Sequence, residues 1–264
     1  MKIDLERMGD PRVFRRDNGH VHIDASELHY RELNAMVKQA ALEGATFMEI
    51  KNVYGQRYIG SGVRRPVRIE IHGVPGNDLG AFMDGPEIVV DRNAQDGVGN
   101  TMNSGSIVVH GRAGDIVAMG MRGGSIFIRG SVGYRAAIHM KEYMKHRPAL
   151  VIGGSCQDFL GEYMAGGVVV VLGLDRPPRE SLPARHVGTG MHGGVIYLRG
   201  DIDPHNLGKG VVAAELEEGD REELRGLVGR FCGHFGGDPE EIMAEDFIKL
   251  TPRSRRPYGS LYAY

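Results

Sequence analysis

Gly99-Asn-Thr-Met-Asn-Ser-Gly-Ser-Ile-Val-Val-His-Gly111 is followed by Ala118-Met-Gly-Met-Arg-Gly-Gly-Ser-Ile-Phe-Ile-Arg-Gly130, the same pattern displaced by 19 residues. The pattern extends in both directions. Six methionines, Met83, Met102, Met121, Met140, Met164 and Met191, mark its repeats, and an apolar run begins five residues after most of them, at Ile88, Ile107, Ile126, Val169 and Ile196. After Met140 the run is delayed to Leu150 by an insertion over Lys141 to Ala149, and a second insertion lies around Asp175 to Ala184. An earlier unit, Ile69-Glu-Ile-His-Gly73, completes the series. Three residues before each ladder methionine stands a small residue: Gly80, Gly99, Ala118, Ala137, Gly161 and Gly188. Small residues there let neighbouring units approach closely at a corner.

A period near 20 built from one short apolar run and glycine turns is a solenoid signature. Alternation within the runs puts Ile126 and Ile128 on one face and Phe127 and Arg129 on the other, as a strand with one buried face requires. The expected fold is therefore mainly β: a right-handed parallel β-helix of about seven coils with flanking capping helices, the hand following from parallel connections. Stacking at about 4.8 Å per coil would line the methionines up as a ladder inside the core.

The flanks differ in kind. Asp24-Ala-Ser-Glu27 reads as a capping box opening a helix with Leu28, Leu33, Met36, Val37, Ala40 and Ala41 on one side, which Gly44 stops. Leu224, Leu227, Val228 and Phe231 make the stripe of a second helix with Glu222 and Glu223 in its first turn, and Pro239-Glu-Glu-Ile-Met opens a third. Both helical flanks are expected to cover open ends of the solenoid, and Pro252 to Tyr262 reads as an extended arm. The domain boundaries are accordingly 1–46, a capping segment with a helix; 47–205, the repeat; and 206–264, helices and arm.

With 264 residues, 40 glycines, no tryptophan and a net charge of -2, the chain shows no electrostatic footprint for nucleic acid. No run of about 18 apolar residues and no signal-peptide pattern is present, so neither a membrane span nor secretion is expected and the cytoplasm is the expected location. Cys156 and Cys232 read as buried or free thiols of an intracellular protein.

The coils with Gly73-x-x-Gly76-x-x-x-Gly80, Gly111-x-x-Gly114 and Gly130-x-x-Gly133, together with Gln95 to Met102, Gly133 to Tyr143, Asp158 to Gly167 and Gly188 to Gly194, resemble the C-terminal glycine-repeat (GXGXG) domain of the glutamate synthase large subunit. The version resembled is the stand-alone one of archaea and some bacteria, and the likeness covers almost the whole chain. More distantly the coils resemble the coil-bearing subunit of formylmethanofuran dehydrogenase and of the related formyltransferase/hydrolase complex. In glutamate synthase an N-terminal cysteine releases ammonia and an FMN with an iron–sulfur cluster reduces the iminoglutarate. This chain begins Met1-Lys2, its two cysteines cannot ligate a cluster, and no eight-fold barrel pattern exists. The resemblance thus implies a non-catalytic subunit whose partners are an amidotransferase subunit and an FMN/iron–sulfur synthase subunit; N-methylglutamate synthase is a sister case and a formyl-transfer complex the competing one. Self-association is left open.

Other motifs read as structure. Gly188-Thr-Gly-Met-His-Gly193 fits a dinucleotide fingerprint by letters but opens a strand instead of a helix. Asp96, Asp115 and Asp158, with Asn77 in register, suggest a calcium roll by letters, but the unit length and Tyr134 argue for turn-stabilising side chains. His72 with His110 and His139 with His146 lack a third ligand. Arg129 and Arg199 read as solvated or interface faces. No catalytic, cofactor-binding or metal-ligating residue is assigned and no cofactor is expected. The insertion at Lys141 to His146 and the arm from Arg256 to Tyr264 are the expected contact surfaces, because residues that break the repeat are available for contact.

Overall fold

The structure, a computed structural model, describes residues 13–15, 19–177 and 179–254. Its centre is a parallel β-solenoid. Strands β1 (Val13–Arg15), β2 (His20–Asp24), β3 (Phe47–Tyr54), β4 (Arg68–Val74), β5 (Asp84–Val90), β6 (Ser104–Val109), β7 (Ser125–Ile128), β8 (Ala149–Ile152), β9 (Ala165–Val171) and β10 (Gly193–Arg199) follow one another in space as in sequence. Pairing is parallel from β2 to β10, and the repeat register is kept throughout: Ile69, Ile88, Ile107, Ile126, Leu150, Val169 and Ile196 stand one above another. The coils number about six complete turns, linking the seven strands β4 to β10 that the repeat announces. The parallel sheet also reaches two strands further back, through β3 to β2, which the repeat pattern does not include.

All six ladder methionines are buried within one apolar interior, with the inward residues of every strand. At the N-terminal end α1 (Tyr30–Leu42) contributes Leu33, Val37, Ala40 and Ala41 to that interior. The helix starts later than the capping-box pattern implies. Asp24 ends β2, and its carboxylate accepts from the Ser26 N–H and from Asn52; Glu27 is left-handed at φ 57, so the chain cannot be helical there, and His29 is the N-cap.

The C-terminal flank departs from expectation more. The far end of the solenoid is closed by strands: β12 (Phe247–Pro252) pairs antiparallel with β10, and β11 (Val211–Ala214) antiparallel with β12. Leu250 is fully buried in the interior, and Val211 packs on it. The second helix, α2 (Glu218–Phe235), lies on the outer sheet face, where Leu224, Leu227, Val228 and Phe231 form a second apolar cluster with Val108, Phe127, Val151, Val170, Val195 and Tyr197. Strands β7 to β10 are therefore buried on both faces, and Phe127 is as enclosed as Ile126. The reason is composition: the outward positions of the later strands are valine, phenylalanine and tyrosine, too apolar to be left in water. α2 begins four residues before Glu222, so Glu218 and Asp220 occupy its first turn. The short α3 (Pro239–Met243) starts on Asp238 with Pro239 at its first position, as the sequence implies. The arm from Arg256 to Tyr264 lies outside the described residues.

Candidate interaction corner and polar cleft

Each coil turns its corner on three left-handed residues at alternate positions. In one coil they are Gly97, Gly99 and Thr101 (φ 74, 68 and 53); in the next Ile116, Ala118 and Gly120; then Arg135, Ala137 and His139; then Phe159, Gly161 and Tyr163. The alternation sends successive N–H groups to opposite neighbours. Gly97 and Thr101 donate to Asp115 and Met119 in the following coil, while Gly99 donates to Leu79 in the preceding one, and the same exchange recurs coil after coil. The corner is thus a fully paired backbone ladder without a strand.

The middle position of each triplet points inward. A Cβ at Gly99 would lie 2.2 Å from Ile126 Cδ1, and one at Gly80 2.7 Å from Ile107 Cδ1. The outer positions point to solvent and form two rows. Along the first, the Arg135 guanidinium lies 4.4 Å from the Phe159 ring, which stacks on His186 at 4.8 Å. Along the second, His139 stacks on Tyr163 at 5.3 Å and 11°. Arg135 is anchored to the almost buried Glu162. Holding a non-glycine residue left-handed costs about 1–2 kcal/mol, so these side chains are kept at the corner against a local penalty.

Beside the corner the first insertion folds back as a hairpin bridged by Tyr143 and His146, with Lys141 to Arg147 exposed. Between this hairpin, the entry of β9 and β10, the first turn of α2 and β12 opens a polar cleft of about 630 Å³. A chain of alternating charge crosses it. Lys249 pairs with Asp220 at 2.6 Å, Tyr197 donates to Asp220 at 2.7 Å with Glu223 at 3.2 Å, and Arg147 joins Glu223 to Glu142. Burial raises the Tyr197 phenol above its ordinary value, and the two carboxylates add to that. Burial works against the Asp220 carboxylate, yet the bonds from Lys249 and Tyr197 and the Glu217 N–H hold it below its ordinary value. Each of these charges has a partner, so the network latches hairpin, helix and last strand together.

The outer face beyond the reach of α2 is polar. His22 Nδ1 meets Glu49 at 2.7 Å, and His72 lies between Glu49 at 3.3 Å and Asp91 at 3.1 Å. Among the described residues no three His, Cys, Asp or Glu side chains are placed to hold one metal ion.

A family model described as GXGXG motif matches residues 34–253. The chain belongs to the GXGXG motif family. It is 50% identical over 251 residues, 92% of this chain and 96% of the other, to an uncharacterized protein of Methanocaldococcus jannaschii. It is also similar to a chain in the crystal structure of the formyltransferase/hydrolase complex from Methylorubrum extorquens in complex with methylofuran, with a TM-score of 0.56, 19% identity, and coverage of 84% of this chain and 86% of that one. At that identity the likeness is one of fold.

The GXGXG corner accounts for several motifs read from sequence. Gly188 and Gly190 of the dinucleotide-like stretch are left-handed corner residues, and Gly193 opens β10. The aspartates bind the next coil: Asp96 accepts from the Asp115 N–H, Asp115 from the Tyr134 N–H and Asp158 from the Arg185 N–H. They stitch coils together, which is more than stabilising their own turn. His139 belongs to the stacked row, His146 to the hairpin, and His110 packs edge-on to Phe235. Arg199 is half-buried and donates to the carbonyls of Leu172 and Gly173. Both cysteines are free and buried, and burial pushes the Cys156 thiol up to about 12. The cleft is not visible in the sequence, because its members come from the insertion, two strand entries, a helix turn and the last strand. No helix among the described residues is long and apolar enough to cross a membrane.

Proposed function

We propose that the chain is a non-catalytic structural subunit of a glutamate synthase-like complex, serving glutamine-dependent synthesis of glutamate or N-methylglutamate in the cytoplasm. In this reading it holds a separate amidotransferase subunit and a separate FMN/iron–sulfur synthase subunit in one assembly. The observation that carries it is where the side chains are spent. The interior is packed by the methionine ladder and its neighbours, while aromatic and basic residues are displayed on a rigid corner and hairpin, the composition of a contact surface. The resemblance of the glycine-repeat motifs over almost the whole chain is what favours a glutamate synthase-like complex in this reading.

A second reading, a subunit of a formyltransferase/hydrolase complex, draws support from the fold likeness to the Methylorubrum chain. Affinity purification of the tagged chain from its own cells, with mass spectrometry of what co-purifies, separates the two. An amidotransferase and a flavoprotein are expected, and glutamine-dependent glutamate formation should require all three chains. Formyltransferase-type and amidohydrolase-type partners would replace this reading by the second, and a chain that purifies without any partner would overturn both.

A further inference from the structure

We propose that the last strand of the sheet, β11, is a self-association edge, pairing antiparallel with β11 of a second copy of this chain about a two-fold axis that is normal to the sheet and passes beside Ala213. This goes beyond the subunit reading and does not depend on which complex the chain serves.

Among the described residues the sheet ends at β11, which pairs with β12 alone. The alternation of hydrogen bonds shows which of its backbone groups are left over. The Gly200 N–H donates to Asp246 and the Arg253 N–H to Gly210. Stepping by two along each antiparallel ladder, Ile248 and Leu250 turn their backbone groups to β10, while Lys249 and Thr251 turn theirs to β11. Val212 and Ala214 are therefore the residues bonded to β12, and the Ala213 N–H and C=O and the Val211 carbonyl point away from it. The Val211 N–H donates to Gly208, but the Ala213 groups have no backbone partner among the described residues. Val211-Val212-Ala213-Ala214 carries neither proline nor charge to blunt this edge, and Ala213 and Ala214 are exposed. The inward side of the strand is apolar. Val211 packs on the solenoid interior and Ala213 stands across from the buried Leu250, so this end of the core keeps an apolar row in water. α2 leaves the edge clear, because it starts beside Tyr197 and Lys249 and ends against His110, running back over the earlier strands.

The charges at the ends of the strand name the occupant. Lys209 before it and Glu215 and Glu217 after it are exposed and have no oppositely charged partner among the described residues. Reversing the strand brings Lys209 towards Glu215 and Glu217 of the second copy, and the two-fold repeats that contact with the roles exchanged, as an isologous interface requires. Beside the axis each Ala213 donates its N–H to the carbonyl of the other, and the Glu215 N–H of each copy reaches the Val211 carbonyl of the other. The docking surface is the strand edge, and the axis lies in it, so the second copy sits beside the first and the sheet runs on through both at the usual strand spacing of about 4.8 Å. Val212 then stands across from Ala214 of the second copy on the outer face, and the two Ala213 methyl groups meet on the inner face. The apolar row left in water is thus covered by its own image. A strand this short falls below the standard interface size of about 800 Å² per partner, so a micromolar, salt-sensitive dimer is expected.

Sedimentation velocity on the isolated full chain, from about 1 to 200 μM, tests this across the micromolar range. The wild type should pass from monomer to dimer. Ala213→Pro deletes the outward N–H, while the bonds to β12 are made by its neighbours, and should raise the dissociation constant at least about tenfold. Leu42→Lys, at a 69% exposed position on α1, should not. Thermal melts report whether Ala213→Pro is folded. A second measurement does not rely on that variant: Ala213→Cys sets two thiols across the axis at a Cα separation of about 5.5 Å, within the span of a disulfide, and should oxidise to a linked dimer faster than the exposed control Leu42→Cys. The native Cys156 and Cys232 are buried and do not compete. A monomer throughout, a dimer indifferent to Ala213→Pro, or an Ala213→Cys chain that links no faster than Leu42→Cys would each overturn the proposal, the first leaving the edge to a different protein. Loss of hetero-partners in cells would bear on the subunit reading alone, since these measurements use one purified chain.

Discussion

The inward glycine of the corner and the isoleucine that fills its hollow should be energetically coupled. Gly60, Gly80, Gly99 and Gly161 would each place a Cβ 2.2–2.7 Å from the Cδ1 of Ile88, Ile107, Ile126 and Ile196, respectively. Where the corner residue is Ala118 or Ala137, the corresponding strand residue in the same register is Leu150 or Val169, neither of which carries an isoleucine Cδ1. Gly99→Ala therefore adds a left-handed penalty of about 1–2 kcal/mol and an overpacking cost of about 1–3 kcal/mol. Ile126→Val alone should cost about 0.5–1.5 kcal/mol. In the double variant the new methyl group occupies the space the Cδ1 has left, so the overpacking cost disappears and the cavity cost shrinks. The coupling should favour the pair by about 1–3 kcal/mol, within the range seen for residues in contact. Urea unfolding followed by circular dichroism measures all three, with Gly62→Ala as the control that bears strain without a clash. Additive effects, with Gly99→Ala no worse than Gly62→Ala, would refute the packing argument.

Met121→Ala, in the middle of the ladder and fully buried, should cost about 2–5 kcal/mol, and Met121→Leu under about 1.5 kcal/mol, in the same unfolding assay. His234 packs on Phe127, and burial first, then the Arg230 charge, holds its pKa below the ordinary value. The stability it contributes is therefore complete above about pH 6.5 and declines as pH falls from there through the depressed folded value, so His234→Gln should flatten the fall in melting temperature between about pH 7.5 and 5. Lys249→Met leaves Asp220 without its cation and should cost about 1–3 kcal/mol at neutral pH, with the loss shrinking once the carboxylate is protonated in acid. The buried Cys156 should react with a thiol reagent only under unfolding conditions, at the rate of global opening.

How much of this is legible depends on whether a residue's neighbours recur at a fixed spacing. Ile107, Ile126 and Met121 repeat every 19 residues, and a stacked coil turns that spacing directly into contact, so the inside of the solenoid can be read from one dimension. β2 and β3 carry no ladder methionine and are separated by α1, which hides them from the repeat although they pair in the same sheet. The destination of α2 escapes for a different reason. Its stripe of Leu224, Val228 and Phe231 shows that the helix must cover something, but an open end and a sheet face make the same apolar demand. The signal that decides is on the strands: Val108, Phe127, Val151, Val170 and Tyr197 occupy outward positions where a solvated face would have polar residues. Reading both strand faces, coil by coil, shows the outer face changing from Glu70, His72 and Asp91 to valine and phenylalanine, and that change marks where the helix lies.

The corner shows where such reading stops. Arg135, His139, Phe159 and Tyr163 look like ordinary loop residues, because sequence gives no sign that a non-glycine side chain is held left-handed. The middle row announces itself through glycine and alanine, since an inward Cβ meets an isoleucine methyl group. The outer rows meet this test unevenly: a Cβ at Gly62 would have no neighbour within 4 Å, whereas one at Gly97 would lie 2.7 Å from Asp78 Oδ1 and one at Gly190 2.5 Å from the Tyr163 ring. What constrains them is in part contact with the neighbouring coil and in part their own stacking. Stacking accounts for Phe159 on His186 and Tyr163 on His139, but it gives Ile116 and Phe82 no reason to bear a left-handed penalty at solvent-facing positions. A glycine would relieve the strain at either site at once. At Ile116 and Phe82 the left-handed penalty has no counterpart in the ring stacking that accompanies it at Phe159 and Tyr163, and there the account from a single chain ends.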